Sequence, residues 1–428
     1  MKEIKLIDTM LSEVSDTFCL AKWHRTNLRL YNGNSYSCHH CFPHRTDPAE
    51  LENNPSALTN TKKVKEYRQE MLDGKRPDEC SYCWKKEDAG LVSDRLIKSR
   101  AFLESGISIE ETASSVESFP TVLDIAFDNT CNFKCSYCGP ENSSMWVEEV
   151  EQHGPYPTFY TKKPLDRIKA VMIPNREVNP YINAFWKWWD EGLAEHLQRL
   201  TITGGEPLLS KHTWKVLDKV IAQNLNLVLN INTNLCVPEK LFNDFKDRIK
   251  KLPVKTIEIS TSIESLGIQA EYSRYGMDFE KWVENVHSIL EDPKVKLHIN
   301  LTNNAFSYNY MHEALKFMID LKLEYGAKRV YVSSNDVNYP TYLDIRVLPK
   351  NIIESANNNI QNILKNKEKL FSAVEFEKLK RTIEFSRSKM ENHDRNISDF
   401  KKFIIEYDRR RSTNYKEVFP ELVEFINE

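Results

Sequence analysis

The chain has no apolar run long enough to span a membrane, no internal repeat, no segment of biased composition and no large excess of charge of either sign. A span needs about 20 consecutive apolar residues, so a membrane-embedded protein is not expected. The 59 Lys+Arg residues against 62 Asp+Glu give a formal net charge of −3, which exerts no general pull on nucleic acid. The opening stretch MKEIKLIDTMLSEVSDTF lacks an apolar core followed by a small-residue cleavage site, and gives the expectation of a cytoplasmic protein. What is present is ordinary: 40% hydrophobic and 28% charged residues over 428 positions, enough for two or three globular domains.

The nine cysteines are less ordinary. Seven fall into close groups, Cys38/Cys41, Cys80/Cys83 and Cys131/Cys135/Cys138, with Cys19 and Cys236 standing apart. In a reducing compartment such spacing points to metal ligands rather than disulfides. Cys236 follows a strand end alone and reads as a structural thiol.

From Thr121 onward, β-rich runs alternate with amphipathic helical runs. Strands are expected at 121–127, 197–203, 227–233, 254–263, 295–302 and 329–334, with helices at 211–224, 238–252, 279–292 and 310–326. Six such repeats predict an α/β fold with a parallel sheet, doubly wound or curled as a barrel, with its active site at the strands' C-terminal ends. The expected division is a cysteine-rich N-terminal domain over 1–117, the repeats over 118–350 and a helical region over 351–428. An insertion at 146–196 carries Trp186, Trp188 and Trp189, which read as core aromatics.

The triplet lies in DNTCNFKCSYCGP, directly after the first expected barrel strand. A 4Fe–4S cube or a structural zinc site takes four thiolates, so three leave one position open for substrate or cofactor. The C-x3-C-x2-C pattern with Tyr137 before its last cysteine resembles the signature of the radical S-adenosylmethionine (SAM) enzymes. That resemblance implies a partial (β/α)6 barrel over about 118–350. It also implies that Cys131, Cys135 and Cys138 hold a catalytic 4Fe–4S cluster whose open iron is chelated by SAM. Electron injection there, from a flavodoxin- or ferredoxin-type donor, cleaves SAM to a 5′-deoxyadenosyl radical that abstracts hydrogen from a substrate.

Further segments extend the resemblance. After the second strand stands TGGEP, with Gly204, Gly205, Glu206 and Pro207 as candidate cofactor contacts: the two glycines let backbone carbonyls approach a ligand and Glu206 can anchor an ammonium. In the family this segment contacts the methionyl amino group. STSIESLGIQAEYSRYG offers Ser262 and Arg274 for the SAM carboxylate, and Glu264 where many relatives carry Asp. Asn232 and Asn234, at the end of the third strand, are candidates to line the SAM or substrate cavity, and Tyr137 to flank adenine through its backbone. No glycine-rich ribose motif follows the fifth strand; Asn300 and Asn303 stand there instead.

For the N-terminal cysteines, spacing alone makes Cys38, Cys41, Cys80 and Cys83 a four-thiolate site with zinc as the default metal. A second grouping runs Cys19, a hairpin turn at Asn32-Gly33-Asn34, Cys38, and the distant pair Cys80 and Cys83. This resembles the SPASM/twitch auxiliary-cluster motif and implies a second 4Fe–4S cluster on those four cysteines, with Cys41 spare. The whole chain resembles twitch-domain-containing radical SAM proteins of phage and bacterial genomes, with the auxiliary domain placed first.

Substrate class follows from that resemblance as a peptide or amino-acid-like group. A nucleotide or nucleic acid is the second reading, with Arg409, Arg410, Arg411, Lys401 and Lys402 as candidate phosphate contacts. A metal-stabilised binding protein without turnover is the third.

Overall fold

In the computed structural model, residues 2–159, 164–174 and 177–428 are described. The strands in chain order are β1 (Arg25–Arg29), β2 (Asn34–Tyr36), β3 (His44–Arg45), β4 (Val122–Ala126), β5 (Lys134–Cys135), β6 (Arg199–Thr203), β7 (Val228–Asn232), β8 (Ile257–Ser262), β9 (Arg274–Tyr275), β10 (Val295–Asn303) and β11 (Val330–Asp336). Each of the six expected strands is among them. The chain forms two compact units, one of Met1–Asp128, Met172–Gly204 and Gln223–Leu229, the other of Asn129–Val171, Gly205–Ala222 and Asn230–Glu428.

In the first unit β4 runs parallel to β6, and Leu123 and Ile125 of β4 and Leu200 and Ile202 of β6 are buried at a two-residue side-chain period. β1 lies parallel to β4 on its other side, with Leu28 opposite Ile125, and turns back antiparallel into β2. The N-terminal hairpin therefore extends the same run of strands. Gly33 makes that hairpin possible: its φ is +74°, and a Cβ there would sit 2.1 Å from the Tyr181 ring. Tyr181 belongs to helix Pro180–Trp188, capped by the Asn179 side chain, and Trp186, Trp188 and Trp189 are buried as expected for core aromatics. Phe18, Trp23, Met71, Trp84 and Phe102 share a second apolar cluster around the N-terminal cysteines.

In the second unit β8, β10 and β11 are parallel, with Ser262 opposite Asn300 and Asn303 opposite Asp336 at their C-terminal ends. The expected helices appear as Lys211–Ala222, Glu239–Lys251, Phe279–Leu290 and Met311–Tyr325. The C-terminal region is helical, comprising chiefly Lys350–Lys367, Ala373–Ser386 and His393–Arg411. A buried ion pair, Lys322 to Glu375 at 2.7 Å, ties this region to the strands, since the same Glu375 oxygen accepts the Val332 amide at 2.7 Å. The result is a mixed α/β chain with parallel strands and a helical C-terminus. Among the described residues no helix is long and apolar enough to cross a membrane.

Candidate functional site

The three-cysteine loop leaves β4 and is shaped by short local bonds. Ser143 caps helix Ser144–His153 and donates to the Phe133 carbonyl at 2.8 Å, while Ser144 Oγ accepts the Cys131 amide at 3.2 Å. Cys135 lies in β5, paired with Arg274 of β9, and the Cys138 amide returns to the Cys135 carbonyl at 3.0 Å. Trp146 Nε1 donates to that carbonyl as well, at 2.9 Å. Burial pushes the Cys131 thiol up to about 12, aided by Cys135, and the Cys135 thiol up to about 11, opposed by the Arg274 charge. Three thiols gathered in one loop, none in a disulfide and two of them, Cys131 and Cys135, costly to ionise without a cation, form a donor set that fits a metal cluster.

The GGEP segment packs on this loop. A Cβ on Gly205 would lie 2.2 Å from the Thr130 carbonyl oxygen, and the Glu206 amide donates to that oxygen at 2.7 Å. Gly204 has φ +138°. The missing side chain at Gly205 thus makes room for the chain's own backbone at Asn129 and Thr130. A correction concerns the Glu206 carboxylate, which accepts from the Leu208 amide (3.0 Å), the Thr233 hydroxyl (2.8 Å) and the Asn234 amide (2.6 Å). With three of about four acceptor positions filled, it serves first as a latch between the Pro207–Leu209 turn and the loop after β7. Burial pushes it up to about 7 despite those donors. Asn234 is likewise engaged, donating to Asn132 Oδ1 and accepting the Cys236 amide, each at 2.8 Å, rather than facing a cavity with a free amide. Asn232 and Ser262 are half-buried at their strand ends. Cys236 points its thiol at the Asp278 carbonyl, 3.5 Å away.

After β8, Glu264 and Arg274 form a buried ion pair at 3.2 Å, and the Tyr137 hydroxyl donates to Glu264 at 2.8 Å while accepting from Arg274. Burial opposes the Arg274 charge, but Cys135, Tyr137 and Glu264 outweigh it and hold the guanidinium above its usual range. The residues that sequence reasoning missed here are Asn132, Thr233, Ser143, Ser144 and Trp146. The Ser143–Ser144 pair just after the cysteines carries a readable N-cap signal.

The arginine run is also corrected. Arg409 and Arg410 pair with Glu406 at 2.7 Å, Arg410 further donates to the Gly154 carbonyl at 2.8 Å, and Arg411 is buried on Glu149. Lys401 lies over the Phe425 ring. Arg410 and Arg411 are thus committed to the chain itself, while Arg409 and Lys402 stay exposed.

In the first unit Cys19, Cys38, Cys41, Cys80 and Cys83 all line one cavity of ≈ 30 Å³. Cys41 Sγ is 4.0 Å from Cys80 Sγ, so the cysteine expected to be spare shares the site. Lys98 donates to Cys38 Sγ at 3.0 Å, and Lys22, ion-paired with Glu79, donates to Cys80 Sγ at 3.6 Å. Both lysines favour thiolates, which any metal here needs. A volume near that of one water suits a single ion as it stands, and a cube once the sulfurs part.

No family model matches the chain. Curated relatives are GTP 3',8-cyclases: that of Helicobacter pylori is 26% identical over 154 residues, 35% of this chain and 38% of the relative. That of Sulfurimonas denitrificans is 24% identical over 217 residues, 50% of this chain and 55% of the relative. The chain therefore spans about a third to just over half of these relatives' length. Among solved structures, Streptococcus suis SuiB bound to S-adenosylmethionine is 16% identical, with 80% of this chain and 69% of that one covered and a TM-score of 0.38. SuiB bound to precursor peptide SuiA gives 16%, 82%, 70% and 0.38. Such a likeness is too distant to support a functional reading. The match to the cyclases, together with the Cys131, Cys135 and Cys138 loop and the GGEP segment packed on it, supports a radical SAM superfamily member.

Proposed function

We propose that the protein is a radical SAM enzyme that cleaves SAM reductively and abstracts hydrogen from a peptide or amino-acid-like group. The observation that carries this reading is the buried three-thiol loop with Gly205 packed on Thr130 and the Arg274–Glu264–Tyr137 network beside Cys135. The strand–helix repeats over 118–350 support a partial barrel, and the hairpin with five gathered thiols supports a twitch-like auxiliary site over 1–117.

Cys131, Cys135 and Cys138 would hold the catalytic 4Fe–4S cluster, and Arg274 with Ser262 would meet the SAM carboxylate. When bound, the cluster supplies the electron that breaks the sulfonium C–S bond and so yields the hydrogen-abstracting 5′-deoxyadenosyl group. Arg274 supplies a fixed positive charge whose carboxylate partner, Glu264, keeps it oriented. Glu206 holds the β7 loop to the GGEP turn, leaving the backbone carbonyls of Gly204 to Glu206 as the acceptors for an ammonium. Cys19, Cys38, Cys80 and Cys83 would hold a second cluster, or zinc, as relay or clamp. Electrons would come from a flavodoxin- or ferredoxin-type donor.

A second reading, radical modification of a nucleotide, is favoured by the name of the relatives, GTP 3',8-cyclase. The experiment that separates the two is 5′-deoxyadenosine formation by the reduced, anaerobically reconstituted chain given SAM and separate peptide, metabolite and nucleotide fractions. Stimulation by the peptide fraction alone supports the first reading, and stimulation by nucleotides replaces it with the second. No product from a fully iron-loaded chain rejects the enzyme.

A further inference from the structure

Arg411 ends helix His393–Arg411, more than 270 residues from the cysteine loop, yet its side chain is fully buried against that loop. Nε and Nη2 clasp the two Glu149 oxygens at 2.9 and 3.1 Å, a bidentate pair. Nη1 donates to the Lys134 carbonyl at 2.6 Å. Lys134 lies between Cys131 and Cys135, and its own ammonium returns to Glu149 at 2.9 Å. The guanidinium is sandwiched among Tyr407, Trp146 and Tyr275, with ring centroids 3.8, 4.9 and 5.3 Å away. Two of these rings serve the loop directly, since Trp146 donates to the Cys135 carbonyl and Tyr275 pairs with Lys134 across β5 and β9.

A buried ion pair is a poor source of stability, because desolvation offsets its attraction. What it does well is fix direction: a planar fork with all three nitrogens committed permits one arrangement of its partners. Here the partners are the backbone between two cysteines, the helix that follows the third, and the strand carrying Arg274.

Resting on the radical SAM reading of that loop, we infer that Arg411 is a positioning residue which clamps Lys134 to Glu149 and so sets the placement of Cys135. The C-terminal helix is then a working part of the cysteine site rather than an appendage.

The test uses the full-length chain and the variants Arg411→Lys, Glu149→Gln and Arg409→Gln, the last altering an exposed pair outside the clamp. In the metal-free chains, hydrogen exchange of the 131–138 amides is measured. In the reconstituted, reduced chains, the electron paramagnetic resonance signal that responds to added SAM is followed during chelator challenge. Arg411→Lys is expected to speed both exchange in 131–138 and loss of that signal by about tenfold, and to shift its g values, with circular dichroism unchanged and Arg409→Gln like the parent. Exchange and g values within about twofold and unmoved, respectively, in folded Arg411→Lys would overturn the inference. Should Arg411→Lys not fold, Glu149→Gln carries the same expectation, and an unaltered loop in that variant overturns it equally. Cys135→Ala separates the two claims. A SAM-responsive signal surviving that change defeats the radical SAM reading, while the exchange data on the metal-free chains still decide the clamp.

Discussion

The Arg274 guanidinium and the Glu264 carboxylate face each other at 3.2 Å in a buried position, with the Tyr137 hydroxyl bonded to both. Tyr137 and Arg274 come from opposite sides of the short β5–β9 pairing, in which Cys135 lies across from Arg274. One cation thus ties the cysteine loop to the segment after β8, and under the proposed function it would also meet the SAM carboxylate.

Replacing Arg274 separates these roles. Arg274→Met leaves Glu264 buried without a counter-charge and should cost about 3–5 kcal/mol of stability, read as a lowered Tm. Arg274→Lys keeps a charge but loses the fork, so SAM binding to the loaded protein should weaken by about tenfold, or about 1.4 kcal/mol, in a calorimetric titration. Unchanged binding in the Lys variant would reduce Arg274 to a structural counter-ion.

Gly205→Ala places a methyl 2.2 Å from the Thr130 oxygen, and the atoms it meets, at Asn129 and Thr130, are all backbone with nothing flexible to yield. The GGEP turn should lift from the cysteine loop at a cost of about 1–3 kcal/mol. Iron loading of the three-cysteine site should fall with it. Parental stability and iron content in Gly205→Ala would show that the two segments are not packed as described.

The legibility of this chain divides by sequence distance. β10 is readable because its apolar alternation is local, and the Cys131–Cys138 loop because its cysteines lie within eight positions. β1 was not readable as a neighbour of β4, since nothing in residues 25–29 announces a register with residues 97 positions away. The carboxylate of Glu206 looked free because its acceptors are claimed by Thr233 and Asn234, brought in from another strand end. Arg409, Arg410 and Arg411 share one local pattern and have three different fates. A charge run reveals its charge and not its burial.

Glu206 also sets a pH dependence. Its folded pKa is raised from 4.5 to about 7 by burial, so the folded chain binds this proton more tightly than the unfolded chain does. Stability from this group is therefore fullest below pH 4.5 and declines as pH rises to about 7, by about 3 kcal/mol in all. Glu206→Gln, which cannot ionise, should lack that decline. Denaturant titrations of the metal-free wild type and variant between pH 5 and 8 compare the slopes, and parallel curves would refute the assignment.

The N-terminal thiols give the sharpest count. If Cys19, Cys38, Cys80 and Cys83 hold a cube, anaerobic reconstitution should load about eight irons per chain, four at each site. Each of those four changed to Ser should cut the total to about four, whereas Cys41→Ser should keep eight despite its sulfur lying 4.0 Å from Cys80. Loss of iron in Cys41→Ser but not in Cys19→Ser would exchange their roles, which the proximity of Cys41 to Cys80 makes a physical alternative. About four irons with one zinc in the parent would identify a structural zinc site, consistent with the ≈ 30 Å³ between the sulfurs. Lys98→Met then tests the electrostatics: removing the ammonium 3.0 Å from Cys38 Sγ should speed metal loss to a chelator by about tenfold, because the Cys38 thiolate loses its nearest cation.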